Sequence, residues 1–250
     1  MAINYSAKTY PNNGCNHLDI LYRDFRYVAI NKPSGLLVHR TNLDSRESRF
    51  AVQLLRDQLG QRVYPVHRID KPTSGVLLFA LDEESLIRAK AMFADHRVVK
   101  TYVAIVRGFP PASGTIDRPL RKLPDGDRKP RSEESQASET HFRALKYSEL
   151  EYPTGPYPTT RYSLVNLTPR TGRRHQLRRH LAGINHPIIG DTSHGDSRQN
   201  ISFRERNGFI RLFLHASKLS FNHPFTDEPL AVRAPLPADF QDALKACGLD

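Results

Sequence analysis

A chain of 250 residues in which 37 lysines and arginines outnumber 26 aspartates and glutamates, a net charge of +11 at pH 7, can bury a large core and presents a surface suited to a polyanion, nucleic acid first of all. Its only cysteines, Cys15 and Cys247, exclude a disulfide framework and a Cys-x-x-Cys site, and fit a reducing compartment. Residues 1–14 lack the apolar core of a secretory signal, and no run approaches the roughly 20 apolar residues that cross a bilayer, so a cytoplasmic protein without a membrane partner is expected.

Residues 1–17 read as a flexible extension, and residues 18–250 as one domain. Residues 18–31 alternate apolar and polar in strand fashion, turn at Asp24, and end at the turn signal Lys32-Pro33-Ser34-Gly35. Residues 36–38 resume as strand. Phe50, Val52, Leu54, Leu55 and Leu59 suit one face of a helix capped by Gly60. Residues 76–80 are a short apolar run that predicts a buried strand. Residues 82–97 form the clearest helix, with Asp82, Glu83 and Glu84 at its positive end and His96 and Arg97 at its negative end. A strand over 102–106 ends near Gly108. Prolines, glycines and charges crowd residues 109–140, which read as a long loop or weak hairpin carrying a basic arm from Arg118 to Arg131. A strand over 161–168, a helix over 173–182 capped by Gly183, and a strand over 212–221 complete the reading. More strand than helix and no regular βαβ alternation predict a single mixed α/β (α+β) domain.

Several chemistries lose their signatures. No G-x-x-x-x-G-K-[ST], G-x-G-x-x-G, H-E-x-x-H or G-x-S-x-G occurs. Val28-Ala29-Ile30-Asn31-Lys32 and His67-Arg68-Ile69-Asp70 echo two kinase elements, but the rest of that set is missing. His175 and His180 are five apart and would point to different faces of a helix, which argues against a metal site.

Two segments remain. In His67-Arg68-Ile69-Asp70-Lys71-Pro72-Thr73-Ser74-Gly75, one carboxylate stands in polar turn residues just ahead of the apolar run, a rigid mount for a reactive group. Capping of the turn by Asp70 is the competing reading. In Thr171-Gly172-Arg173-Arg174-His175-Gln176-Leu177-Arg178-Arg179-His180-Leu181, cationic side chains crowd the start of a helix. Arg174 and Arg178 share one face, and Leu177 and Leu181 share another that packs inward. A solvated face is the plain reading; an arginine carried inward by the leucines would need a carboxylate partner.

Asn31-Lys32-Pro33-Ser34-Gly35, His67-Arg68-Ile69-Asp70 with Thr73-Ser74-Gly75, Lys100-Thr101-Tyr102, Thr171-Gly172-Arg173 with His175-Gln176-Leu177-Arg178, His186-Pro187-Ile188-Ile189-Gly190-Asp191, and Leu214-His215-Ala216 resemble, in order, motifs of the RluA-type pseudouridine synthases. Residues 158–162 and His194-Gly195-Asp196, with histidine where many relatives carry tyrosine, look most like the tRNA pseudouridine synthase C branch. Ile69 replaces the family's usual leucine at equal volume. The resemblance implies the pseudouridine synthase fold without an S4-like domain, and isomerisation of a uridine in tRNA, around uridine 65, with no cofactor and no metal. It implies that Asp70 is the catalytic aspartate, attacking C1′ or removing the C2′ proton, that Arg178 pairs with it, that Tyr102 stacks on the target base, and that Leu177 lines the same pocket. A uridine paired in a stem must be flipped out at a cost of a few kcal/mol, which phosphate contacts offset. Arg68, Lys100, Arg161, Arg173, Arg174 and Arg179 are the candidates for those contacts. Asp191, the nearest rival carboxylate in these motifs, reads as part of a structural turn. Alternatives are a synthase of the same family acting on ribosomal RNA, or a non-catalytic RNA-binding or RNA-folding protein on the same scaffold.

Overall fold

The computed structural model describes residues 17–39, 49–123 and 134–250. The expected N-terminal extension, apart from His17, and the part of the basic arm carrying Arg128, Lys129 and Arg131 lie outside the described residues.

Strands β1 (Asp19–Arg23) and β2 (Tyr27–Lys32) form a hairpin. Its turn is closed by the Asp24 carboxylate, which accepts from the amides of Arg26 and Tyr27 at 2.7 and 2.6 Å. Helix α1 (Ala51–Leu59) ends at Gly60, as its apolar spacing predicts. After β3 (Tyr64–Pro65) comes β4 (Ser74–Ala80), in which every residue is buried. Helix α2 (Glu83–Ala94) is capped by Asp82, whose side chain accepts from the Ser85 amide at 2.7 Å. Strand β5 (Val99–Arg107) follows, then β6 (Ser113–Asp117), a small ribbon of β7 (Leu120–Arg121) with β8 (Ser135–Gln136), and the long strands β9 (Glu139–Leu150) and β10 (Thr160–Pro169). Helices α3 (Gln176–Gly183) and α4 (Ser197–Asn207), strands β11 (Leu214–Asn222) and β12 (Pro229–Arg233), and helix α5 (Ala238–Ala246) complete the chain.

Among the described residues, ten strands make one mixed sheet of order β1-β2-β4-β11-β5-β10-β9-β6, with β3 on β4 and β12 on β11. All pairings are antiparallel except β4 with β11. Alternate residues of each central strand face opposite layers. In β4, Val76, Leu78 and Ala80 pack with Ala89 and Met92 of α2, whereas Leu77 and Phe79 pack with Ala51 and Leu55 of α1. In β5, Ala104 and Val106 meet Leu177 and Leu181 of α3, and Ile105 meets Phe240 and Leu244 of α5. Helices therefore cover both faces. Each buried Leu, Val or Phe side chain contributes roughly 1.5–3 kcal/mol, which makes the central strands the stiffest part of the molecule.

Four expectations differ from the structure. Residues 36–38 form only an isolated bridge from Leu37 to Phe50. The supposed excursion over 109–140 contains β6, which joins the main sheet. Strand β9 has no counterpart in the sequence reading, because only Thr140 and Phe142 of its twelve residues are buried and its apolar alternation is lost beyond Ala144. Helix α3 starts at Gln176, so Arg173 and Arg174 lie in the preceding turn and Arg174 does not share a helical face with Arg178.

Candidate active site

A cleft of about 490 Å³ opens where β4, β5 and the start of α3 converge, and Asp70, Tyr102, Leu177 and Arg178 all line it. Its size suits a small polar ligand or a single extruded nucleoside. Asp70 stands in the loop ahead of β4, and that loop is tied down from three sides. The Thr73 amide bonds to the Asp70 carbonyl at 3.0 Å. From the turn after β2, the Gly35 amide and the Lys32 ammonium both donate to the Lys71 carbonyl, at 2.9 and 3.1 Å, and the Ser34 hydroxyl donates to the Pro72 carbonyl at 2.7 Å. On the third side, Ser74 pairs with His215 at 2.8 Å and accepts from Arg211 at 2.6 Å. Gly75 permits the close approach of β4 to β11: at φ +112° it sits where a Cβ would come within 2.2 Å of the Ala216 carbonyl oxygen.

The charged centre holds two carboxylates and one guanidinium. Arg178 donates from Nε and Nη2 to the two oxygens of Asp191 at 2.8 and 2.7 Å, and from Nη1 to Oδ2 of Asp70 at 3.4 Å. The side chains of Arg178 and Asp191 are 5% and 1% exposed, against 20% for Asp70. Burial alone would push the Asp191 carboxyl up, but the Arg178 bonds and charge and the amides of His194 and Ser193 outweigh it and hold the group below its usual range. Asp191 therefore fixes the arginine in a planar fork, and Arg178 presents its remaining nitrogen to the more accessible Asp70.

Around this centre the groups are neutral or cationic. Tyr102 on β5 lies in the cleft wall, and burial, then the charge of Asp70, pushes its phenol up so that it stays protonated. His67 accepts from the Leu78 amide at 3.1 Å and stacks on Phe93, with ring centres 4.9 Å apart. Burial and the Lys100 charge bring His67 down to about 3, so it stays neutral. Lys32 is fully buried with its ammonium on three backbone carbonyls, and desolvation brings it down to about 7. His175 approaches Asp70 Oδ2 to 3.9 Å and contacts His194 at 2.9 Å. Among the described residues no cluster of three or more His, Cys, Asp or Glu side chains is placed to hold a metal ion, and no helix is long and apolar enough to cross a membrane.

Residues 26–183 match the RNA pseudouridylate synthase family. The chain belongs to this family. It is 50% identical over 230 residues to tRNA pseudouridine synthase C of Vibrio parahaemolyticus, covering 90% of this chain and 92% of that one, and 48% identical over 235 residues to the protein of that name from Vibrio cholerae, covering 92% and 96%. Among solved structures, Human RNA Pseudouridylate Synthase Domain Containing 1 superposes with a TM-score of 0.70 at 29% identity, over 93% of this chain and 88% of that one. The chain is thus a pseudouridine synthase, an isomerase, on a mixed and mostly antiparallel sheet.

Within this pseudouridine synthase the sequence-predicted residues divide. Asp70, Tyr102, Leu177, Arg178, Arg68, Lys100, Arg173 and Arg174 all line the one cleft. Arg161 does not. Leu167 of β10 pairs with Tyr102, and Arg161 lies six residues further along, roughly 20 Å away. There its guanidinium is 3.1 Å from Glu149 and lies over the Phe109 ring. Arg179 points to the outer side of α3, donating to the Arg121 carbonyl at 2.9 Å in a shallow basic pocket with Arg118 and His194. The sequence reading missed the main partner of Arg178. Asp191 forms a turn as expected, but it also takes two of the guanidinium bonds; thirteen residues separate it from Arg178, and nothing local in the Gly190-Asp191 pair reports the contact. Gln176 was missed as well: it accepts from Thr171 Oγ1 and the Arg173 amide and donates to the Glu139 carbonyl, pinning the basic turn to β9.

Proposed function

We propose that this enzyme converts a uridine of tRNA to pseudouridine, at uridine 65, with Asp70 as the catalytic group, and that it works in the cytoplasm where that RNA is found. One observation carries the reading: among the carboxylates lining the cleft and its floor, Asp70 alone is both open to a ligand and held at one oxygen by a buried arginine. The tRNA specificity rests on relatives that share about half of the sequence over nine-tenths of the chain and are named for tRNA.

In this reading the flipped uridine enters between Tyr102 and Leu177, its base against the tyrosine ring and its ribose toward Asp70. Asp70 breaks the N1–C1′ bond, either by attacking C1′ or by removing the C2′ proton. The freed uracil, still enclosed, turns and bonds through C5 to C1′, releasing the Asp70–C1′ bond on the first route or taking the proton back from Asp70 at C2′ on the second. The C5 proton is lost and N1 gains one, so atoms balance with no cofactor. Arg178 keeps the carboxylate aimed throughout. Arg68, Lys100, Arg173 and Arg174 ring the mouth of the cleft and take the flanking phosphates, whose neutralisation offsets the unstacking cost.

The test is tritium release from tRNA carrying 5-labelled uridine. Asp70→Asn is expected to abolish release while RNA affinity stays within a few-fold, and a tRNA with cytidine in place of uridine 65 is expected to yield no pseudouridine. Normal release by the Asp70→Asn protein would defeat the assignment of the aspartate. Equal turnover of ribosomal RNA would defeat the assignment of the substrate.

A further inference from the structure

His175 occupies the N-cap position of α3, yet its side chain makes no capping hydrogen bond, and its backbone lies in the left-handed region at φ 54°. Serine, threonine, aspartate or asparagine is preferred at such a position, and a non-glycine residue in that conformation is strained. Capping does not account for a histidine there, although histidine is among the residues that enter this backbone region more readily than most. What the conformation does is place the ring in the cleft. Its Nε2 is 3.9 Å from Oδ2 of Asp70, and its Nδ1 is 2.9 Å from Nε2 of His194, with the two rings nearly perpendicular at 74°.

We propose that His194 and His175 form an orienting pair for Asp70: His194 donates to His175, which in turn donates to the carboxylate, so that His175 and Arg178 share Oδ2 and Oδ1 is left for the ribose. This rests on the reading of Asp70 as the catalytic group. His175 is a positioning residue, and His194 acts through it.

The direction of the pair follows from charge. Four groups face His175: Asp70, Arg178, His194 and Arg174. Burial, with the cationic and histidine neighbours, outweighs the pull of Asp70 and brings His175 down to about 4, and burial lowers His194 as well, so both rings are neutral near pH 7. Each neutral imidazole has one N–H and one lone pair. Were the Nδ1 of His175 to donate, its Nε2 lone pair would face a carboxylate oxygen, which also only accepts. The other tautomer removes that repulsion: His194 Nε2–H donates to His175 Nδ1, and the proton of His175 stands on Nε2 toward Asp70. At 3.9 Å the last link is longer than a hydrogen bond, and it closes when a bound nucleoside fills the cleft.

Four variants test the pair by single-turnover tritium release at saturating tRNA, with RNA affinity and melting temperature measured on each. His175→Asn keeps a residue that tolerates the left-handed backbone but removes the ring. His194→Leu removes the donor, and His194→Gln restores an N–H near the position of Nε2. Asp70→Asn is the control. His175→Asn and His194→Leu are expected to slow the chemical step about 10- to 100-fold, the range seen when an orienting partner behind a functional group is lost. Their RNA affinity should stay within a few-fold, and His194→Gln should recover most of the rate. A full rate in His175→Asn or His194→Leu overturns the pair, as does a folded His194→Gln no faster than His194→Leu. A loss confined to RNA affinity also overturns it. Tritium release by Asp70→Asn would instead overturn the reading of Asp70, so the two failures are distinct.

Discussion

Asp191 and Asp70 touch the same guanidinium, and the structure assigns them opposite sensitivities. Replacing Asp191 with alanine removes both close bonds to Arg178 and the acceptor for the amides of Ser193 and His194. It leaves a cation 5% exposed with a single 3.4 Å contact to Asp70. Removing one partner of a buried pair costs about 3–5 kcal/mol, because the other charge stays buried and uncompensated. The remaining contact to Asp70 and water entering from the cleft place this case near the lower end, about 3 kcal/mol. For a chain of this length each kcal/mol shifts the melting temperature by about 2–4 °C, so Asp191→Ala should melt about 6–12 °C lower. Asp191→Asn keeps the shape and one acceptor, and should lose roughly half as much.

Asp70→Asn is the counterpart. Its side chain is four times as exposed as that of Arg178, and Arg178 keeps both bonds to Asp191 when the charge of Asp70 is removed. The expected stability change is under about 1 kcal/mol, as for other partly exposed pairs, alongside complete loss of pseudouridine formation. Scanning calorimetry and tritium release on the same preparations measure both quantities. Asp191→Ala should retain slow activity, since Arg178 still reaches Asp70. If Asp70→Asn melts as low as Asp191→Ala, or if Asp191→Ala melts with the wild type, the division of labour between the two carboxylates is wrong.

Gly75→Ala should lower stability by at least about 2 kcal/mol and cut activity with it, because its Cβ would strike the Ala216 carbonyl and part β4 from β11 beside the Asp70 loop; Gly35→Ala, at φ +85° with no atom within 4 Å, should cost only about 1 kcal/mol, and equal melting of the two would refute the argument. Stability should also fall on mild acidification. His215 is fully buried and brought down to about 4, chiefly by desolvation, so the unfolded chain binds its proton first; stability is complete above the unfolded value near 6.5 and is lost as pH falls from there toward about 4. At about pH 5 this one residue accounts for roughly 2 kcal/mol, so in urea denaturation the stability gap between wild type and His215→Gln should narrow by about that amount between about pH 7.5 and about pH 5 if the linkage is correct.

The parts of the site legible in the sequence share a physical character: short range. Asp70 stands out because prolines, glycines and an all-apolar strand lie within ten residues of it, and those features dictate a turn on a buried mount whatever the rest of the chain does. Helix α5 is absent from the sequence reading, although Phe240, Ala243, Leu244 and Cys247 at i, i+3, i+4 and i+7 carry a helix signal that the reading passes over. Strand β9 has no such signal, since one face of an outer strand is open to water and its register is set by β10 and β6. Arg161 fails for a related reason: a basic residue on a ten-residue strand serves whichever end of the sheet it occupies, and only the pairing with β5 shows that it is the wrong end. Arg178 is the hardest case. An arginine carried inward demands a carboxylate, and of those in the motifs Asp70 and Asp191 both reach it. The nearer in sequence, Asp191, reads as a turn; the farther, Asp70, reads as chemistry. Burial decides between them, because a carboxylate 1% exposed cannot be left without its counter-ion, whereas one 20% exposed has water and a ligand to turn to. The arginine therefore binds the structural acid with two bonds and the exposed acid with one, and that unequal sharing leaves Asp70 held yet available.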